Sequence, residues 1–375
     1  MLASEPVETV PECPGSVAHR NHDTDPADFQ NGGKNVLMLI VNGRFLRARP
    51  TGLHRVGRAL LDAARAAGLE AEVIAPRGVG DPRVDRHVWA PPGRAGDHSF
   101  EQLLLPALAG KRRILSLTNT APIYARHGIV AVHDLAMVRH PEWYARSMRA
   151  YAWMVVAAAR RADAVVTFSQ AVAGELAQAG VAEGRIRLIR EAVDPAFAPA
   201  TPGAVQAVRD RLGISGPYVL MVGWAQPRKD LATAVAAHRL VLGDVAHRLV
   251  LVGESHDTFA AVPVPDDESI LRAGHLSDAE LVAALTGASA LLYPSLYEGF
   301  GLPPLEAWAC GTPALVSDIP VLRESTGGLG ELLPVGDVQA WAEALRNALS
   351  GKLAVPSPPT WRWADAGRQL LDVLA

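Results

Sequence analysis

A chain of 375 residues, 49% apolar and 20% charged, has the balance of a soluble globular protein, and its length points to roughly two domains of about 150 residues. Its two cysteines, Cys13 and Cys310, lie far apart, which argues for a reducing compartment and excludes a disulfide framework. The start MLASEPVETVPEC has neither the basic nor the apolar region of a secretory signal, and the longest apolar run, Ala150 to Ala159, is about half a membrane span. The net charge of −3 hides an uneven split: 1 basic against 6 acidic residues over 1–33, 23 against 14 over 34–195, and 12 against 19 over 196–375. The basic middle block has two readings, a solvated Arg-rich surface or attraction to anionic lipid or a phosphate-bearing acceptor. Nucleic acid is disfavoured, since the basic residues do not form dense runs interleaved with aromatics.

Residues 1–33 are acidic, rich in Pro, Asp and Gly, and lack apolar periodicity, so disorder is expected there. Order begins with the apolar run Val36 to Val41, a buried strand. Thr51-Gly52 then leads into helical spacing over Leu53 to Ala67, placing Gly52 where backbone can approach a phosphate. Strand-like runs follow at Glu72–Ala75, Ile114–Leu117, Ile129–Val132, Val165–Phe168 and Ile186–Ile189. Helical segments alternate with them at Phe100–Ala109, Trp143–Arg161 and Ala171–Gln178. This alternation predicts a doubly wound parallel sheet, whose ligands bind beyond the carboxyl ends of the strands. His133 and Asp134 stand at such an end. For His133 a strand-end histidine bonded to its neighbours is an equally good reading.

The irregular stretch from Asp194 to Gly203 reads as a linker. A second set of units follows: a strand at Tyr218–Val222, the loop Gly223 to Lys229, a helix at Leu231–Leu242, a strand at Leu249–Val252, and a helix opened by the capping signature Ser277-Asp278-Ala279-Glu280. Arg228 and Lys229, between a strand and a helix, suit a diphosphate; a solvated basic pair is the plain alternative. The stretch ALLYPSLYEGFGLPPLEAWACGTPALVSDIP, from Ala290 to Pro320, carries the strongest signal. The strand Ala290–Tyr293 meets a loop with Glu298, Gly299, Phe300 and Gly301, and Pro303 and Pro304 open a helix that Gly311 and Pro313 end. Backbone N–H groups and a positive dipole end converge there on an anion site. Glu298 lies on the loop, and Glu306 is expected in the first helical turn, where dipole complementarity alone would also explain it. A strand near Leu332, a helix over Val338–Ala348 and a last helix from Trp361 to Leu374 complete the chain. No Cys/His cluster has zinc spacing, no Gly-x-Gly-x-x-Gly follows a strand, and no P-loop is present.

With these stretches in view, the chain resembles the retaining nucleotide-sugar glycosyltransferases of family 4, bacterial mannosyltransferases in particular. Glu298-Gly-Phe-Gly-Leu-Pro-Pro-Leu-Glu306 fits that family's Glu-x7-Glu element. Thr51-Gly52-Leu53-His54-Arg55, Val132-His133-Asp134-Leu135, Gly223 to Lys229, Gly274-His275-Leu276-Ser277-Asp278 and Trp361-Arg362-Trp363-Ala364 match in support. The resemblance implies the GT-B architecture, two Rossmann-like doubly wound domains facing across a cleft: 34–195 for the acceptor, 204–355 for the donor, and 356–375 as a helix crossing back. It implies Arg228 and Lys229 on the donor diphosphate, and Glu306 on the ribose hydroxyls. Glu298 would meet the transferred sugar, and the backbone of Gly299, Phe300, Gly301 and Leu302 the sugar and the phosphate. His133 and Asp134 would lie on the opposite wall, Gly52 and Gly223 near the phosphates, and His275 and Leu276 beside the base. The sequence departs from the family pattern at Arg190-Glu191-Ala192-Val193-Asp194, where Asn-Gly often precedes Val-Asp, at Asp230 in place of Asn, and at His54 in place of a small residue.

The expected function is transfer of a hexose from a nucleoside diphosphate sugar, GDP-mannose favoured, to a surface-polysaccharide or lipid-linked acceptor, with no metal and no other cofactor. The expected place is the cytoplasm, at the inner face of the cell membrane where the basic N-terminal domain meets lipid. A catalytically silent GT-B scaffold, or a sugar-nucleotide epimerase or hydrolase, are the rival readings.

Overall fold

The computed structural model describes residues 39–47, 52–91, 93–124, 128–255 and 257–375. The segment 1–33, read above as disordered, lies outside the described residues, as do Val36 and Thr51. Among these described residues thirteen strands, numbered in chain order, form two sheets. The first contains β1 (Leu39–Asn42), β2 (Ala71–Pro76), β3 (Arg86–Val88), β4 (Ile114–Ser116), β5 (Gly128–Ala131), β6 (Ala164–Thr167) and β7 (Ile186–Leu188). The second contains β8 (Tyr218–Val222), β9 (Arg248–Val252), β10 (Ile270–Gly274), β11 (Ala290–Tyr293), β12 (Ala314–Ser317) and β13 (Glu331–Leu333).

Every pairing within the sheets is parallel. The order is β3-β2-β1-β4-β5-β6-β7 in the first and β10-β9-β8-β11-β12-β13 in the second. Central strands such as Ala290-Leu291-Leu292-Tyr293 are buried at every position, because helices cover both faces and both side-chain rows must be apolar. In each sheet the winding reverses once, between β1 and β4 and between β8 and β11. Loops leaving adjacent strands there part in opposite directions and open a crevice.

The halves are tied together at several points. The helix Trp363–Leu374 packs on the first-half helix Gly52–Ala66, so closely that a Cβ on Gly367 would lie 2.4 Å from the Ala63 carbonyl. Arg113 donates to the carbonyl of Leu374. The hydroxyl of Tyr297 accepts from the Leu135 N–H at 3.1 Å and donates to Glu175 at 2.5 Å.

Several elements differ from the sequence reading. The helix expected over Trp143–Arg161 begins only at Arg149. Tyr144 instead forms an antiparallel bridge with Phe259, and the Ala145 N–H donates to Thr258, so pairing with the second half breaks the helix. The linker ends early, because Pro202 and Gly203 begin the helix Pro202–Leu212, capped by Thr201 accepting from the Ala204 N–H. The strands β3, β10 and β12 and the helix Pro320–Ser325 were not foreseen; β3 and β10 are edge strands, and β3 is short and largely exposed. Glu306 is the fifth residue of the helix Leu302–Ala309, which has no acid in its first turn. Dipole complementarity therefore does not explain it.

Candidate functional site

The loops that leave β8 and β11 at the switch point of the second sheet carry the charged residues. Gly223 follows β8 with φ +73°, a left-handed turn that favours glycine, and the Lys229 stem lies against it. Asp230 adopts φ +49° and caps the next helix through the Thr233 N–H at 3.3 Å. Aspartate does here what asparagine does, since both tolerate left-handed backbone and both cap.

Glu298 sits between the two cations. Lys229 Nζ donates to Glu298 Oε1 at 2.6 Å and to the Tyr293 hydroxyl at 2.7 Å, and Arg228 Nη1 donates to Glu298 Oε2 at 2.8 Å. Lys229 and Glu298 are each 5% exposed. Burial alone would push the Glu298 carboxyl up, but Arg228 and Lys229 hold it down at about 2. Burial also lowers Lys229 to about 8, against the pull of Glu298. The cluster is thus ionised, with one positive charge more than negative. Buried charges persist only when paired in this way.

Glu306 is equally buried, 5% exposed. Its Oε1 accepts from Arg55 Nη2 at 3.1 Å, across the cleft and 251 residues away in sequence. Burial pushes its carboxyl up to about 7, with Arg55 opposing. Arg55 itself lies 5.0 Å above the ring of Phe197. Gly301 begins the helix at φ +95°, and a Cβ there would meet Leu322 at 2.3 Å.

The opposite wall comes from the ends of β4 and β5. His133 is buried; its N–H donates to Asn119 Oδ1 at 2.7 Å and its Nε2 lies 2.9 Å from the Leu117 carbonyl. Asp134 accepts from the Ala136 N–H at 3.1 Å. Gly299 presses on this turn: a Cβ on it would lie 2.1 Å from the His133 carbonyl oxygen, so the two walls touch where only glycine fits.

Together these groups line a cavity of about 240 Å³. It gathers Gly52, His133, Asp134, Gly223, Arg228, Lys229, Glu298, Gly299, Phe300, Gly301, Leu302 and Glu306. His275 and Leu276 are not in its wall, where Leu281 stands instead; His275 is exposed and Leu276 buried in the core. The Phe300 ring packs on Trp361 at 5.4 Å. Sequence reasoning gave no role to Arg55, Glu191, Gln226 or Tyr293, all of which line the cavity. Arg55 lay within a matched stretch and Glu191 at a departure from the pattern, so both had signals of position without signals of contact. Among the described residues no group of three or more His, Cys, Asp and Glu is placed to hold a metal ion.

Comparison with known proteins supplies a context for this geometry. A family model described as Glycosyltransferase Family 4 matches residues 50–197, and one described as Glycosyl transferases group 1 matches residues 216–351. The serotype-specific mannosyltransferase WbdA of Escherichia coli is 29% identical over 59% of this chain, which spans only 29% of that protein. The O-antigen chain mannosyltransferase RfbU of Salmonella typhimurium is 24% identical over 65% of this chain and 67% of its own. A glycogen synthase of Mycobacterium tuberculosis is 32% identical over 65% and 58%. Among solved structures, Anabaena Alr3699/HepE in complex with UDP and glucose aligns with a TM-score of 0.68 at 16% identity, covering 90% of this chain and 98% of that one. WaaG, a glycosyltransferase involved in lipopolysaccharide biosynthesis, aligns at 0.63 and 14%, covering 89% and 95%. At such identities the structures establish the shared two-sheet fold.

Proposed function

Because the chain belongs to glycosyltransferase family 4, we propose that it transfers a hexose, mannose from GDP-mannose being favoured, to a surface-polysaccharide or lipid-linked oligosaccharide acceptor, with retention of configuration and without a metal. The observation that carries this reading is the buried Arg228–Lys229–Glu298 cluster at the switch point, with Glu306 beside it in one cavity. Two fixed cations at a strand-end crevice match a departing diphosphate. They stabilise the charge that builds on its bridging oxygen by exchanging Glu298 for the phosphate oxygens. The sugar then passes through an oxocarbenium-like state, which the Glu298 carboxylate favours or whose hydroxyls it orients. Glu306 accepts from the ribose hydroxyls. The mannose assignment draws support from WbdA and RfbU, both named as mannosyltransferases.

Contact with the inner face of the cell membrane is part of the proposal. The helix Arg149–Arg161 has no acidic residue; Arg149, Arg160 and Arg161 are exposed, as is Trp153 at 62%, and Arg161 lies over the exposed ring of Tyr124. An aromatic and basic surface of this kind suits an anionic headgroup layer. Among the described residues no helix is long and apolar enough to cross a membrane.

A thermal-shift series over GDP, UDP and ADP tests the donor assignment, since a ligand that binds only the folded state raises Tm by mass action. GDP is expected to give the largest rise, and Lys229→Ala to remove it. A flat response to all three nucleotides would sink the reading.

A further inference from the structure

The carboxylate that meets the ribose in the proposed reaction is itself held from the far side of the cleft. Glu306 is the fifth residue of the helix Leu302–Ala309, and its Oε1 accepts from Arg55 Nη2 at 3.1 Å. Arg55 is the fourth residue of the first-half helix Gly52–Ala66, and both side chains belong to the cavity wall. Among the described residues Arg55 is the one cation paired with Glu306. The other charged groups that face this carboxyl, Asp278 and Glu191, are acids. Tyr293 and Cys310 lie near it too, and burial raises both, so they are neutral at neutral pH. Arg228 and Lys229 are engaged by Glu298.

Helix stability and surface pairing do not account for Arg55. A cation in the first turn of a helix is opposed by the macrodipole. Its pair with Asp278 is long, 3.8 Å, and that partner is 69% exposed, so the contact contributes little. The guanidinium instead lies 5.0 Å above the Phe197 ring, an arrangement that leaves its edge N–H groups available.

The bond to Glu306 uses one nitrogen and one oxygen. A carboxylate offers about four lone-pair sites, so ribose hydroxyls can join it without displacing Arg55. Without Arg55 the carboxylate would be a buried charge with no partner, a state that proteins avoid. The group would take up a proton, and one oxygen would turn from acceptor to donor. Burial already pushes the Glu306 carboxyl up to about 7 with Arg55 opposing.

We propose that Arg55 is a positioning residue for the donor ribose: from across the cleft it fixes the Glu306 carboxylate as an acceptor and touches no reacting atom itself. This role rests on the transferase reading, in which Glu306 meets the ribose.

Calorimetry with GDP and 2′,3′-dideoxy-GDP separates the role from a purely structural one. Arg55→Ala should weaken GDP by about tenfold, the loss of one charged hydrogen bond. It should change dideoxy-GDP by no more than about twofold, since a coupling vanishes when one partner is missing. The acid limb of GDP affinity should move to higher pH, because a carboxyl without its cation releases its proton only at higher pH. Arg55→Gln, which keeps a donor without the charge, carries the same comparison, and Arg55→Lys should recover most of the pH shift. Equal losses for the two ligands would overturn the proposal, for Arg55 would then act on the phosphates or on the fold. Carbon-13 NMR of the glutamate carboxyls, with Glu306 assigned by its loss in Glu306→Gln, reads the effect without a ligand. Glu306 should titrate about one pH unit higher in Arg55→Ala than in the wild type, and an unmoved titration would equally overturn the proposal. Failure of the wild type to bind GDP, UDP or ADP would overturn the transferase reading, while the titration would still decide whether Arg55 fixes Glu306.

Discussion

The two walls of the cleft solve one problem in opposite ways. The second-sheet wall is dense with charge: Arg228, Lys229 and Glu298 are buried together and satisfy one another. The first-sheet wall also carries Arg55, Asp134 and Glu191, but its His133 is fixed by uncharged partners, the Leu117 carbonyl and the Asn119 amide. A wall of charge can bind an anion only by exchanging partners, since its cations are already paired when the cleft is empty. A wall of backbone dipoles needs no exchange and can be set in advance. The donor wall should therefore respond to mutation and pH through charge, and the opposite wall through geometry.

The largest effect should come from Lys229→Ala. Removing one partner leaves Glu298 buried with half its compensation, a change that costs about 2–5 kcal/mol in comparable buried pairs. GDP affinity, measured by calorimetry, should fall by about a hundredfold, and transfer should be lost with the fold intact by circular dichroism. Full activity of this variant would end the donor-wall assignment. Glu298→Gln tests the exchange itself. Transfer should fall steeply, yet GDP should bind about fivefold more tightly, because a competing carboxylate worth about 1 kcal/mol has left the cations. If GDP binds more weakly, Glu298 supports the cations rather than competing for them, and the contrast between the walls disappears.

The pH dependence of GDP affinity should sharpen the same contrast. Glu306, pushed up to about 7, gains its acceptor charge as pH rises through that value. Lys229, lowered to about 8, loses its charge as pH rises further. Affinity should then peak between these limits, since the free protein's ionisations set both limbs. Glu306→Gln should flatten the acid limb alone. An acid limb that survives in this variant must come from another group.

How much of this was readable in the sequence follows the range of each interaction. Glu298 and Glu306 stood out because a strand, two glycines and two prolines fix that turn locally. Arg228 and Lys229 stood out because a strand end precedes them. Arg55 on Glu306 joins residues 251 positions apart, and nothing local marks such a pair. The helix Pro202–Leu212 was legible after all: Thr201-Pro202 is a cap followed by a first-turn proline, a signal hidden by reading Pro-Gly as a linker. The overextended helix before Arg149 is a different failure. Apolar spacing permits it, and only the bridge from Tyr144 to Phe259 breaks it.

The smallest expected effect lies outside the cavity, where the halves meet through a helix cap. Ser169 satisfies the Val172 N–H of the helix Gln170–Gln178 at 3.2 Å. The Gln170 N–H donates to Glu324, 2.8 and 2.9 Å from its two oxygens, and the Ala171 N–H donates at 3.4 Å. Glu324 belongs to the second half and also pairs with Arg190, so one carboxylate caps a first-half helix and links the halves. The first N–H groups of a helix have no partner within it, and a lost cap costs about 1 kcal/mol. Glu324→Ala should lower Tm by about 2–4 °C and enlarge the radius of gyration in X-ray scattering as the halves separate. GDP affinity should stay within about twofold, because the donor wall keeps its charges. A variant with unchanged Tm and scattering would show that the cap is replaced by water at no cost, leaving closure to the Tyr297 and Arg55 contacts. A variant that loses GDP affinity would show instead that the donor wall depends on the position of the opposite half, and the two walls would then act as one.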